Sequence, residues 1–280
     1  MGSTKGANSF SAAWVAGRTG AEVDILHVLG RRETGGTQDL SGSISLGART
    51  ALLEELSALD EQRAKLAQSR GRAILEDAKA IVEASGATVT TKLRIGDIVE
   101  TVAESEADAD LILLGKRGEA ADFAKAHLGS NLERIVRSSA KPVFVASRAF
   151  APIERFLIAY DGGVSSMKAV DHIARSALFA GLDCRLLMVG QDTAAAQRQL
   201  GDARAMLEGA GYTVKADIVS GHPDSVISDA VVNENIGLLV MGAYGHSRIR
   251  SLVIGSTTTE MVRSCKIPVL LFRGAVRLSN

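Results

Sequence analysis

Short apolar runs alternate with longer amphipathic stretches along the whole chain. In the second half the runs are Phe156–Tyr160, Cys184–Val189, Tyr212–Val219, Ile236–Met241 and Val269–Phe272. Between them, apolar residues recur at helical spacing over Ser165–Ala180, Ala194–Gly209, Asp224–Glu234 and Thr257–Arg263. Runs that are apolar at nearly every position suit strands covered on both faces, and the intervening helices supply the covers. The pattern predicts an α/β fold with a doubly wound parallel sheet. The first half alternates in the same way, with a helix over Ala7–Ala16 and a last strand at Val143–Ala146. It differs in a polar Gly/Ser-rich loop over Gly30–Gly47 and a much longer helix over Ala48–Ala84.

The alternation is also a repeat. Gly86-Ala-Thr-Val and Gly211-Tyr-Thr-Val each open a β-branched run that ends at a glycine, Gly96 or Gly221, in register at a spacing of 125. Gly129-Ser130 matches Gly255-Ser256, Arg137-Ser138 matches Arg263-Ser264, and Pro142-Val143 matches Pro268-Val269, all 126 apart. Register held over such a length marks a duplication. The boundary falls near Pro152, which predicts two tandem domains, 1–149 and 150–280.

Composition narrows the classes. At 280 residues, 46% hydrophobic and 23% charged, the chain suits two ordinary globular domains. Its 32 basic and 32 acidic side chains cancel, so the basic footprint of a nucleic-acid binder is missing. No apolar run reaches the roughly 18 residues of a membrane span. Two cysteines, Cys184 and Cys265, make no disulfide framework, and a cytoplasmic location is the expectation. The histidines and cysteines show no metal-ligand spacing.

The chemistry concentrates after the fourth strand of the second half. Val240-Met241-Gly242 ends an apolar run, and Gly242-x2-Gly245 is followed by nine residues and then Gly255-Ser256-Thr257 opening a helix. Glycines let a backbone turn with positive φ and let a ligand come close, and a helix N-terminus favours an anion. Ser256 and Thr257 can cap that helix or turn their hydroxyls to a phosphate. The intervening segment carries His246, Arg248 and Arg250 and no acid. Neither a Walker A loop nor a G-x-G-x-x-G fingerprint is present, and no nucleophile has an assignable base.

The G-x2-G-x9-G-[S/T] spacing resembles the ATP-binding signature of the universal stress proteins. Three features agree: Tyr160-Asp161-Gly162 closing the first strand, Gly221-His222-Pro223 after the third, and Pro268 before the last. The resemblance spans the chain as two copies and implies a strand order of 3-2-1-4-5 in each. It further implies that Asp161 reaches the ribose or adenine, that Val189 lines the base pocket, and that Gly242, Gly245, Gly255, Ser256 and Thr257 wrap the phosphates, with Met241, His246 and Arg248 also counted among the nucleotide-binding residues. The implied ligand is ATP, AMP or ADP, with Mg accompanying the nucleotide. The implied role is stress-response regulation rather than catalysis, since no general base for hydrolysis can be named. A non-nucleotide interaction or dimerisation module of the same fold is the alternative. An adenylyltransferase or ATP pyrophosphatase would need His-x-x-His or Ser-Gly-Gly-x-Asp-Ser, and the chain has neither. In such a family the last strands are the pairing edges, which predicts contact between Val143–Ala146 and Val269–Phe272, within the chain or between copies.

The first copy departs from this pattern. Its glycines read Gly115-x2-Gly118-x10-Gly129, and Glu119 and Asp122 lie between them. A carboxylate near a phosphate costs on the order of 1 kcal/mol at surface dielectric. The place of Asp161 falls at Met1, and no strand precedes it. The expectation is a first copy without its central strand, the slot being filled by residues upstream of Met1 or by another segment, with Gly30–Gly47 the nearest.

Overall fold

In the computed structural model, which describes residues 6–30, 46–116, 130–243 and 256–273, nine strands and eight α-helices alternate. In chain order they are α1 (Ala7–Thr19), β1 (Val23–Leu29), α2 (Leu46–Glu83), β2 (Val89–Ile95), α3 (Ile98–Ser105), β3 (Ile112–Gly115), α4 (Ser130–Ser138) and β4 (Val143–Ala146), then β5 (Arg155–Tyr160), α5 (Val164–Arg175), β6 (Asp183–Val189), α6 (Ala194–Gly209), β7 (Val214–Val219), α7 (Pro223–Asn233), β8 (Leu238–Ala243), α8 (Ser256–Ser264) and β9 (Val269–Arg273). The helix over Ser165–Ala180 is corrected. It stops at Arg175, because Ser176 turns extended and its hydroxyl oxygen accepts from the Leu178 N–H to start a separate 3-10 turn, Ala177–Phe179. The Gly30–Gly47 loop is shortened likewise, since Leu46 and Gly47 already belong to α2; residues 31–45 lie outside the described residues.

The second half has the expected order. Strands run β9-β8-β5-β6-β7, all parallel, so the first strand of the half is the middle one. Their burial explains why they read as unbroken apolar runs: Phe156, Leu157, Ile158, Leu186, Leu238, Leu239 and Val240 are all fully buried.

Among the described residues the first half has no strand between its two pairs. β1 and β2 form a two-stranded parallel sheet, and β3 and β4 form a second parallel pair. The second pair is not isolated, because β4 lies antiparallel to β9, with Val143 opposite Leu271, Phe144 opposite Leu270 and Val145 opposite Val269. The result is one seven-stranded sheet, β3-β4-β9-β8-β5-β6-β7, shared by both halves. The two last strands read from sequence as pairing edges therefore cover each other in mid-sheet.

The core is shared too. On one face Phe144 of the first half packs with Phe156, Val170, Phe179 and Phe272 of the second, with Trp14 of α1 against the same layer. On the other face Ile135 and Val136 of α4 join Leu239, Met261 and Val262. Arg18 of α1 donates from Nε to the Leu178 carbonyl at 2.6 Å and from Nη2 to that of Ala180. Among the described residues no helix is long and apolar enough to cross a membrane.

Candidate functional site at the β5–β8 switch point

The chain leaves β5 towards β6 and β7, then returns to the other side of β5 to form β8 and β9. The sheet order therefore reverses between β5 and β8, and in open parallel sheets the crevice beyond the carboxyl ends of such strands is where ligands lie. Gly242, near the end of β8, faces this crevice. A Cβ placed there would sit 2.8 Å from Ser165 Cβ and 3.1 Å from the Ser166 nitrogen, so only glycine lets α5 start so close.

Two helices meet the end of β8. Ser165 Oγ of α5 donates to the Ala243 carbonyl and Thr258 Oγ1 of α8 donates to the Gly242 carbonyl, each at 3.2 Å. α8 carries no acid in its first turn, so its N-terminal partial charge is not offset there, whereas the N-terminus of α5 is met by the Asp161 carboxylate just ahead of it. This leaves the crevice suited to a negatively charged group.

Asp161 follows β5 directly. Its Oδ1 accepts from the Gly163 N–H at 2.8 Å and from Ser166 Oγ at 2.6 Å, which fixes the turn into α5. The residue is exposed, and no hydrogen bond to Oδ2 occurs among the described residues. Gly162 has φ +73°, and a Cβ there would meet Gln199 Oε1 at 2.6 Å, so α6 also closes on this turn. Neighbouring Tyr160 is 2% exposed; burial, then the charges of Asp161 and Asp202, pushes its phenol up.

The structure gathers some of the residues expected from sequence. Asp161, Gly242 and the start of α8, which holds Ser256 and Thr257, come together at the switch point. Val189 ends β6, one strand further along, and is half-buried. Met241 is buried in the second core layer, which leaves only its main chain to offer a ligand. Gly245, His246, Arg248 and Gly255 lie outside the described residues. Sequence reasoning passed over Ser165, Ser166, Gln199 and Thr258. The Asp161-Gly-Gly-Val-Ser-Ser run was the available signal, since a short polar side chain before a helix with hydroxyls in its first turn marks a built N-terminus.

No group of three or more metal-type ligands is assembled among the described residues. Burial pushes the Cys184 thiol up to about 12 and raises that of Cys265, so neither is poised as a thiolate. A cavity of about 540 Å³ opens at the opposite, amino end of the strands beside Arg175, Asp183 and Tyr212, away from the N-termini of α5 and α8.

The first half has a matching strand end. A Cβ on Gly115, at the end of β3, would meet the Asn8 side chain at 2.8 Å, and Asn8 holds the second position of α1 as Ser165 does in α5. The next residue differs. Where β8 ends at a buried Ala243, β3 is followed by Lys116, whose Nζ donates to the Cys265 carbonyl. Desolvation lowers that ammonium to about 8.

The profile of the universal stress protein family matches this chain twice, over residues 10–147 and 152–273. The chain belongs to the universal stress protein family. Among its relatives, universal stress protein Slr1230 of Synechocystis sp. is 39% identical over 267 residues, covering 94% of this chain and 93% of its own length. A universal stress protein of Mycolicibacterium smegmatis is 23% identical over 74% of this chain and 78% of its own. The crystal structure of a universal stress protein from Archaeoglobus fulgidus shares the fold, with a TM-score of 0.66 at 22% identity over 95% of this chain and 94% of that one.

Proposed function

We propose that the second universal stress protein domain, residues 150–280, binds an adenine nucleotide, ATP or its products ADP and AMP, and that the protein acts as a nucleotide-responsive stress regulator in the cytoplasm. The observation that carries this reading is the closure of α5 and α8 on Gly242 at the switch point, with the acid-free N-terminus of α8 beside a glycine spacing suited to phosphates. Asp161 offers its exposed Oδ2 to a ribose hydroxyl, and Val189 at the end of β6 offers an apolar wall to the base. The phosphates lie along Gly242–Thr257, and Mg accompanies them. Binding rather than turnover is the activity assigned, since no general base can be named for activating water.

Thermal unfolding of nucleotide-free protein tests the reading. ATP at 100 times its dissociation constant adds about 2.7 kcal/mol, several degrees in melting temperature. Gly245→Val, which fills the second glycine of the phosphate spacing, removes the shift. Unchanged melting with ATP, ADP and AMP would sink the proposal and favour the interaction-module alternative.

A further inference from the structure

α8 has two ends, and each is held by a different half of the protein. At its start Thr258 Oγ1 donates to the Gly242 carbonyl of β8. At its finish Lys116, which follows β3 of the first half, donates from Nζ to the carbonyl of Cys265, the residue after the last of α8. The sheet accounts for this crossing. β4 is antiparallel to β9, so the carboxyl ends of β3 and β4 lie beside the amino end of β9, where α8 finishes. The carboxyl end of β8 meets the start of the same helix.

The two contacts bear on one another through the helix. Its last carbonyls have no partner within it and carry partial negative charge, as its first N–H groups carry partial positive charge. α8 has nine residues, about 13 Å, short enough to need support at both ends. Met261 and Val262, 0% and 1% exposed, pack its middle into the core, so a pull at one end is felt at the other. The cation of its own last turn, Arg263, is paired with Glu260 three residues back at 2.5 Å, which offsets that charge inside the helix. Lys116 brings a cation from outside. Burial lowers its ammonium to about 8, the charge of Arg148 adding to that push and Cys265 opposing it. A charge held partly out of water acts more strongly on the carbonyl it faces.

We propose that Lys116 is a positioning residue for the nucleotide site of the second half: by capping the far end of α8 it strengthens the hold of the near end on phosphate, and so makes nucleotide affinity depend on the first half. The proposal rests on the nucleotide reading above. It gives the first half a part in a site built by the other. A shift of β3 against α8 changes the affinity, and by reciprocity bound phosphate tightens the contact between Lys116 and Cys265. A long cationic side chain is what the place after β3 requires, whereas its counterpart after β8, Ala243, is buried and apolar.

Calorimetric titration of the nucleotide-free full chain with ATP and with adenosine is the test. Lys116→Met weakens ATP binding about threefold to fivefold and leaves adenosine unchanged, because adenosine has no phosphate for the helix to hold. Lys116→Arg keeps the charge and restores most of the ATP affinity. General damage to the fold would weaken both ligands together. A wild type that binds no ATP removes the nucleotide reading and this proposal with it. A wild type that binds ATP, with Lys116→Met binding it equally well or losing ATP and adenosine in the same proportion, overturns this proposal alone.

Discussion

The two halves of this protein are copies that have been held to different standards. In the second, five parallel strands and four helices close a complete sheet around β5. In the first, the same alternation runs without a middle strand among the described residues, where β1–β2 and β3–β4 are separate pairs. The packing of a helix start on a glycine at a strand end survives in both, Ser165 on Gly242 and Asn8 on Gly115. The residue after that glycine has diverged. One half closes with an alanine, and the other with a lysine that reaches across to a carbonyl of its neighbour. A helix–strand contact can be kept for the sake of the fold while the residue beside it changes.

The largest expected effect separates the halves by their polar cores. Arg185 of β6 is 5% exposed and binds Glu234 at 3.0 Å and Asp217 at 3.0 Å. Arg185→Met leaves Glu234 partly buried without its main partner and costs about 2–4 kcal/mol in chemical denaturation. The loss falls on the seven-stranded sheet and the core it shares, and an equal loss in the separate β1–β2 region would break the comparison.

Smaller effects come from the paired glycines. Gly242→Ala drives a methyl against the Ser165 Cβ and the backbone of Ser166, at a cost of about 1–3 kcal/mol. Gly115→Ala meets only the amide end of Asn8, which can swing away, so its cost stays below about 1 kcal/mol. Equal costs would mean that the two strand ends are packed alike after all. Asp161→Ala removes the acceptor of the Gly163 N–H and the Ser166 hydroxyl and lowers stability by about 1 kcal/mol. If binding fails in this variant while the melting temperature falls only slightly, the carboxylate touches the ligand as well as the turn.

The smallest effect is one of pH. Lys116 titrates near 8 in the folded chain against an ordinary 10.5, so between these values the unfolded chain holds more protons. Stability therefore rises with pH across that window, by a fraction of the ~1.4 kcal/mol per unit that one fully shifted proton gives. Lys116→Met flattens the rise. A slope that persists in this variant would place the titration elsewhere.

The class and the repeat were legible because buried parallel strands leave unbroken apolar runs, such as Leu238–Met241, and glycines and prolines mark their ends; the second-half sheet order came only with the family resemblance. Helix ends set by one residue were less so. Nothing in periodicity distinguishes Ser176 from a helical serine, yet its extended backbone ends α5. The site was half legible. Glycine spacing pointed to Gly242, but a spacing does not say which helix presses on it, so Ser165, Ser166 and Thr258 went unread. Met241 was read as a site residue from its neighbours in sequence, and its side chain is buried in the core.

The antiparallel seam between β4 and β9 also sets a timetable for synthesis. Phe144 pairs with Leu270, which the ribosome adds 126 residues later. At about 5–20 residues per second that is an interval of roughly 6–25 s, during which β4 has β3 beside it and an open edge on its other side. Open strand edges of nascent chains invite pairing with other chains. Translation speed through the second half, and any chaperone that covers Val143–Ala146 meanwhile, therefore govern the yield of folded protein more than they would for two independent domains. Slowing translation after residue 150 should raise the aggregated fraction of newly made chain, whereas chain refolded at full length from denaturant never experiences that delay.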